Sequence, residues 1–256
     1  MDKESPNNLN NLKKQLKEIT EQYKPVFEKF RNHNRELFAR FKLSNTLFDP
    51  SNLLTDTTKQ LAEYGWFIPM TFSVRQVSNL SNELNANNIK EVDKLMIGYY
   101  DKYLNDVKEL IIERFPLRKE VLESAFIAHK KKEYNLSIPV FLAQSDGICK
   151  ELTKVGFFES FKTGDKEHKP RTYRWIAESE LDSTYDVMLE PLKHKGGFSK
   201  HFSVANPMGV SRHEILHGES TDYGTQLISC KSLSLLNFVG EWVYKAIEST
   251  NKLKVR

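Results

Sequence analysis

At 256 residues, the chain is long enough for one large domain or two small ones, and its core needs no staples. Hydrophobic residues at 39% and charged residues at 28% exclude a globally disordered chain. A net charge of +4 and a pI of about 8.8 permit nucleic-acid binding without demanding it. The two cysteines, Cys149 and Cys230, form neither a metal-ligand nor a disulfide spacing, which fits a reducing cytoplasm. The opening Met-Asp-Lys-Glu-Ser-Pro has no apolar signal-like core, and no apolar run approaches bilayer length. The expectation is a cytoplasmic protein without membrane contact.

Leu9, Leu12, Leu16, Ile19 and Tyr23 recur at steps of three and four, predicting a helix with a narrow apolar seam. Such a seam suits a partner helix, either within the chain or in a dimer. Pro25 bends or ends it, and Val26, Phe27, Phe30, Leu37, Phe38 and Phe41 continue an apolar helical pattern. Residues 45–58 are turn-rich, and a helix is expected to begin at Thr57 and run to Tyr64. Gly65-Trp66-Phe67-Ile68-Pro69 reads as an aromatic joint. Asn85-Ala86-Asn87-Asn88 is a loop before a helix from Ile89 to Tyr103, and Phe115-Pro116-Leu117 is a break used as a domain boundary.

Beyond that break, Val121, Leu122, Ala125, Phe126 and Ala128 form the buried stripe of a helix ending in the basic run from His129 to Lys132. Ser137 is read as the cap of the next helix, with Pro139 in its first turn. From Gly156 to Asn206 prolines, glycines, aromatics and charges mix without a helical period, predicting an irregular excursion with short strands. Lys162, Lys166, His168, Lys169, Arg171, Arg174, Lys193, His194, Lys195, Lys200 and His201 lie among its aromatics. That mixture suits either a nucleic-acid surface or a solvated loop. A long terminal helix is expected from Thr221 or Asp222 to Glu248, with Leu227, Ile228, Leu235, Val239, Trp242 and Ala246 on one face.

Just ahead of that helix stands Ser211-Arg212-His213-Glu214-Ile215-Leu216-His217-Gly218, from which two chemistries can be read. His213-Glu214-Ile215-Leu216-His217 fits a zinc motif, with the histidines as ligands, the glutamate as general base and Glu241 as a distant third ligand. Against it, Ser211 and Glu214 form a capping-box pattern, and Gly218 interrupts the helix directly after the second histidine. The alternative takes Arg212, His213 and His217 as an Arg-x-x-x-x-His site. Histidine titrates near working pH and can move a proton, which suits His217 as acid or base. Arginine presents a planar, permanently charged fork to phosphate oxygens, which suits Arg212 as the phosphate clamp. His213 would orient His217 or assist proton transfer. On a regular helix His213 and His217 face the same way, whereas Arg212 and His217 diverge by roughly 140°. Convergence then needs a distorted helix or a second protomer. Asp146 is a possible further polar member.

Arg212, His213 and His217, at the start of the penultimate helical segment, resemble the motif of the HEPN superfamily. These are helical bundles, many of them metal-independent RNases of bacterial toxin and phage-defence systems. The string Arg-His-x-Ile-Leu-His-Gly is also similar to that of a group of bacterial proteins near this superfamily. The resemblance covers roughly the last half of the chain. It implies an all-α, HEPN-like domain over 116–256 with an irregular insertion at 156–206, preceded by an N-terminal helical region over 1–115. It further implies an endoribonuclease working without cofactor or metal in a composite dimer cleft, with RNA as substrate. A cognate antitoxin or defence partner is part of the same expectation. The competing expectations are a non-catalytic nucleic-acid or protein-binding module of the same fold, and a zinc peptidase.

Overall fold

The computed structural model describes residues 50–162, 168–179, 181, 183–194, 197–199 and 211–254, and it is mostly helical. The two helices expected before residue 45 lie outside the described residues. Ser51–Arg256 forms one compact unit. No described helix is long and apolar enough to cross a membrane.

Helix α1 spans Pro50–Glu63. It begins seven residues before the expected Thr57, because Pro50 occupies a first helical position where its missing N–H costs nothing. Trp66, Phe67 and Ile68 then turn fully inward. They are pinned to the far end of the chain, where the Trp242 indole donates to the Ile68 carbonyl at 2.8 Å. Helix α2, Val74–Asn85, starts at a complete capping box between Ser73 and Gln76.

Helix α3 runs Ile89–Arg114, eleven residues past its expected end. The pattern changes at Tyr103 because the backbone there leaves helical geometry (φ −107°, ψ 18°), and the helix resumes beyond the kink. Phe115 and Pro116 form a corner inside the unit, and buried residues on both sides of it share one core. Helix α4 is Lys119–Lys130; it buries Leu122, Ala125, Phe126 and Ala128 as expected, whereas Val121 is 39% exposed.

Helix α5, Tyr134–Thr153, corrects the reading of Ser137 as a cap. Ser137 lies inside the helix and is fully buried, and Pro139 is the sixth helical residue. Proline cannot donate to the carbonyl four residues back, that of Asn135. The Tyr223 hydroxyl donates to that oxygen instead, at 3.2 Å, so the proline leaves no orphaned acceptor.

The excursion carries the expected short strands and more helix than its composition suggested. Strands β1 (Ser160–Lys162) and β2 (His168–Pro170) pair antiparallel, with Phe161 opposite Lys169. Helices α6 (Arg171–Glu178) and α7 (Ser183–Met188) follow, and the five-residue helix α8 is Arg212–Leu216.

The terminal helix begins later than expected, because Thr225 and not Thr221 or Asp222 accepts the Ile228 N–H as its cap. Helix α9, Gln226–Phe238, is buried all round from Ser229 to Phe238 and packs against α5 and α3. A π-turn over Val239–Val243 joins it to α10, Tyr244–Lys254. At this turn a side chain on Gly240 would collide with Ile111 of α3. The Gly240 carbonyl also accepts a hydrogen bond from the Arg114 guanidinium. Any side chain at 240 would therefore have to displace the buried Ile111 where α3 and the π-turn touch.

Candidate functional site

Helix α8 is short because it is stopped at both ends. The Ser211 hydroxyl accepts the Glu214 N–H at 3.5 Å, and Gly218 adopts φ +74°, a left-handed position that glycine takes without strain. The Glu219 and Ser220 N–H groups then return to the Glu214 carbonyl at 2.8 and 3.1 Å.

This turn sends the motif residues to two sides. His213 and His217 lie against each other one turn apart, with ring centroids 4.2 Å apart and planes tilted by 52°, and both are exposed. Glu219 stands 3.9 Å from His213 Nε2. Arg212 turns the other way and lies over the Phe158 ring, 4.6 Å from its centroid. Among the described residues no hydrogen bond, ion pair or ring contact joins Arg212 to His217. The divergence expected of a regular helix is thus what is found.

Asp146 of α5 does belong with the motif. Its Oδ2 lies 3.8 Å from Arg212 Nη2, and its Oδ1 accepts the Phe158 N–H at 3.1 Å. One carboxylate therefore holds both the guanidinium and the ring beneath it. Gly156 makes room, since a Cβ there would stand 2.9 Å from Asp146 Oδ1. The hold on Arg212 is loose. Its side chain is 32% exposed, and among the described residues its buried Nε has no hydrogen-bond partner. An arginine with unused donors is suited to an added anion.

Arg212, Ser211 and His213 border a cleft of about 240 Å³. Phe157, Phe158, Leu192 and Phe198 give it apolar walls, and Glu159, Ser160, Thr172 and His194 give it polar ones. Several of these polar groups are committed. Thr172 donates to the Leu192 carbonyl at 2.6 Å, and His194 Nε2 lies 2.7 Å from Glu190. Glu159 takes a hydrogen bond from Lys150 at 3.1 Å, which holds its carboxyl below the usual range, and Arg171 stands 3.7 Å away.

Pairing also reduces the basic excursion. Lys193 is bound by Asp186 and Glu190 at 2.8 and 3.0 Å, and Arg174 lies over Phe161 at 4.6 Å. Both of these cations are thus engaged within the chain, Lys193 by carboxylates and Arg174 by a ring. Lys166, Lys195, Lys200 and His201 lie outside the described residues.

Glu241, the distant residue of the zinc reading, serves the core. It accepts from the Met70 N–H and from Asn237, both at 3.1 Å. Burial raises its carboxyl above the ordinary value, against the pull of the Met70 N–H, Arg114 and Asn237.

A second polar cluster lies among α3, α4, α5 and α9. His129 Nδ1 meets the Ser229 hydroxyl at 2.7 Å, and Ser229 meets Ser137 at 2.8 Å, all three buried. Cys230 and Asp101 complete the group. Burial pushes the Cys230 thiol up to about 12 and lowers the His129 imidazole, opposed by Asp101. Sequence reading passed over it because its members are scattered from 101 to 230 and follow no spacing. The one available signal was a histidine closing an otherwise apolar stripe.

No family model, curated protein or solved structure matches the chain.

Proposed function

We propose that the chain is a HEPN-type endoribonuclease that needs no catalytic metal, with an active site completed between two copies. The observation carrying this reading is Arg212, held loosely by Asp146 over Phe158 and partly exposed at the rim of a cleft. Such a group recognises a phosphate through its permanent charge and fork geometry, while the adjacent phenyl ring and apolar walls accept a base. His213 borders the same cleft, and its ring lies against that of the exposed His217, which diverges from Arg212. Arg212 of one protomer and His217 of its partner meeting at one phosphate would resolve that divergence. The exposed Leu216 lies on the same short helix and gives a contact between copies some apolar area.

In this reading His217 removes the proton of the ribose 2′-hydroxyl, and the 2′-oxygen bonds to phosphorus. The 5′-oxygen leaves with a proton from an imidazolium, giving a 2′,3′-cyclic phosphate and a 5′-hydroxyl. Arg212 stabilises the extra negative charge on phosphorus. His213, its ring against His217, orients that imidazole. Growth arrest or antiviral defence, with a cognate antitoxin, follows from the resemblance to HEPN proteins alone.

The separation of Arg212 from His217 within one chain favours the second reading, an RNA-binding module that does not cleave. The zinc-peptidase reading has less support: its helix is five residues long, and Glu241 is occupied by Met70 and Asn237. Incubating RNA with purified protein plus EDTA, beside Arg212→Ala and His217→Ala, separates the three. Cleavage that survives EDTA and vanishes in both variants is the expected result. Binding without cleavage overturns it in favour of the module, and zinc-restored activity in favour of a metal enzyme.

A further inference from the structure

We infer that Asp101, His129 and Cys230 form a structural zinc site that ties α3, α4 and α9 together, separate from the Arg212 cleft. The ligand-bearing atoms of these three residues lie within 4.8 Å of one another, and this is the one such group of three among the described residues. A thiol, an imidazole and a carboxylate match the donors zinc takes at about 2.0–2.3 Å.

The surroundings are those of a built ligand set. The Ser137 hydroxyl donates to the Tyr134 carbonyl, so Ser229 can donate to Ser137 and accept from His129 Nδ1–H, the tautomer that leaves Nε2 a lone pair to give. Ser229 is itself fixed by Ser137 from α5, so the imidazole's tautomer and tilt are set by a helix that supplies no ligand. The carboxylate is oriented too, because the Gln226 amide donates to both Asp101 oxygens at 3.1 and 3.2 Å. Asp101 is exposed while Cys230 is fully buried, which gives the cation an entry side and leaves solvent for the fourth position. As the Zn–S bond forms, the thiol proton passes to solvent.

Ser137 and Asp146 are nine residues apart on α5, so this cluster and the Arg212 cleft are separated by about 13 Å along that helix. The site holds helices and leaves RNA chemistry to the other cluster.

The full chain purified without chelator, then analysed for metal, should carry close to one zinc per chain. Zinc X-ray absorption should show one sulfur neighbour at about 2.3 Å. Exchange for cobalt should give a thiolate charge-transfer band in the near ultraviolet that is lost in Cys230→Ser and kept in Cys149→Ala. Asp101→Asn, altered at the exposed ligand, should fold and bind zinc at least tenfold more weakly. Metal content at background with no cobalt band overturns the assignment. So does a sulfur-free zinc shell, or a band that survives Cys230→Ser. None of these readouts involves RNA, so their failure leaves the ribonuclease reading untouched, and the reverse holds.

Discussion

The two histidine clusters of this protein are built in opposite ways. His129 is buried and its Nδ1 is held by a serine that a second serine holds in turn, whereas His213 and His217 stand exposed with their rings against each other. Arg212, beside the second cluster, keeps a buried Nε without a partner among the described residues. Satisfied polar groups in a core fix one arrangement, and unpaired groups at a cleft are capacity kept for a ligand. On the proposed reading, the first cluster contributes stability and the second the chemistry.

The largest effect that would sharpen this contrast is at Arg212. Arg212→Ala should lower RNA cleavage by about 100-fold or more while leaving the melting temperature nearly unchanged. A matched loss of stability would break the assignment. Ser229→Ala should do the reverse. It leaves the buried His129 Nδ1 unpaired and takes one of two partners from Ser137, costing about 1–3 kcal/mol. The melting temperature should then fall by roughly 2–4 °C per kcal/mol, with cleavage per folded molecule unchanged. Calorimetry and a cleavage assay on the same sample check both variants.

Asp146→Asn should produce a smaller, purely positional effect. The asparagine oxygen still accepts the Phe158 N–H, but its hold on Arg212 loses the charge. We expect a loss of activity about tenfold smaller than for Arg212→Ala, carried by KM for RNA and reduced at low salt. The smallest effect concerns the core between α3 and the π-turn. Burial raises the Glu241 pKa above its ordinary 4.5, so the folded state holds that proton more tightly than the unfolded chain. Its contribution to stability is full below pH 4.5 and is lost as pH rises through the raised value. Glu241→Gln should remove that decline, seen as a flatter curve of melting temperature against pH from 4.5 upward.

Legibility in the sequence followed the range of the interactions involved. The stripe Leu122, Ala125, Phe126 and Ala128 was readable because one helix face buries at fixed spacing. The start of α5 was not, since the Ser-x-Pro pattern at 137–139 is an ordinary helix opening and only Tyr223, far along the chain, makes Pro139 tolerable inside. The late start of α9 was likewise hidden, because Thr221, Asp222 and Thr225 are all competent caps. At the candidate site, Arg212, His213 and His217 were visible as a local string. The Asp146 tether to that string was only a possibility, as a contact across 66 positions leaves no periodic trace. Of the Asp101, His129 and Cys230 group only His129, closing an apolar stripe, left a trace, for the same reason.

Subunit mixing tests the shared phosphate site most directly. Arg212→Ala and His217→Ala proteins, each inactive alone, are combined in equal amounts, allowed to exchange protomers, and assayed on RNA. A site made from Arg212 of one copy and His217 of the other predicts that activity returns to about a quarter of wild type. Half the dimers are then mixed, and each has one intact site of two. No recovery despite demonstrated protomer exchange would contradict the composite site and leave the turn at 211–218 a binding element without catalysis.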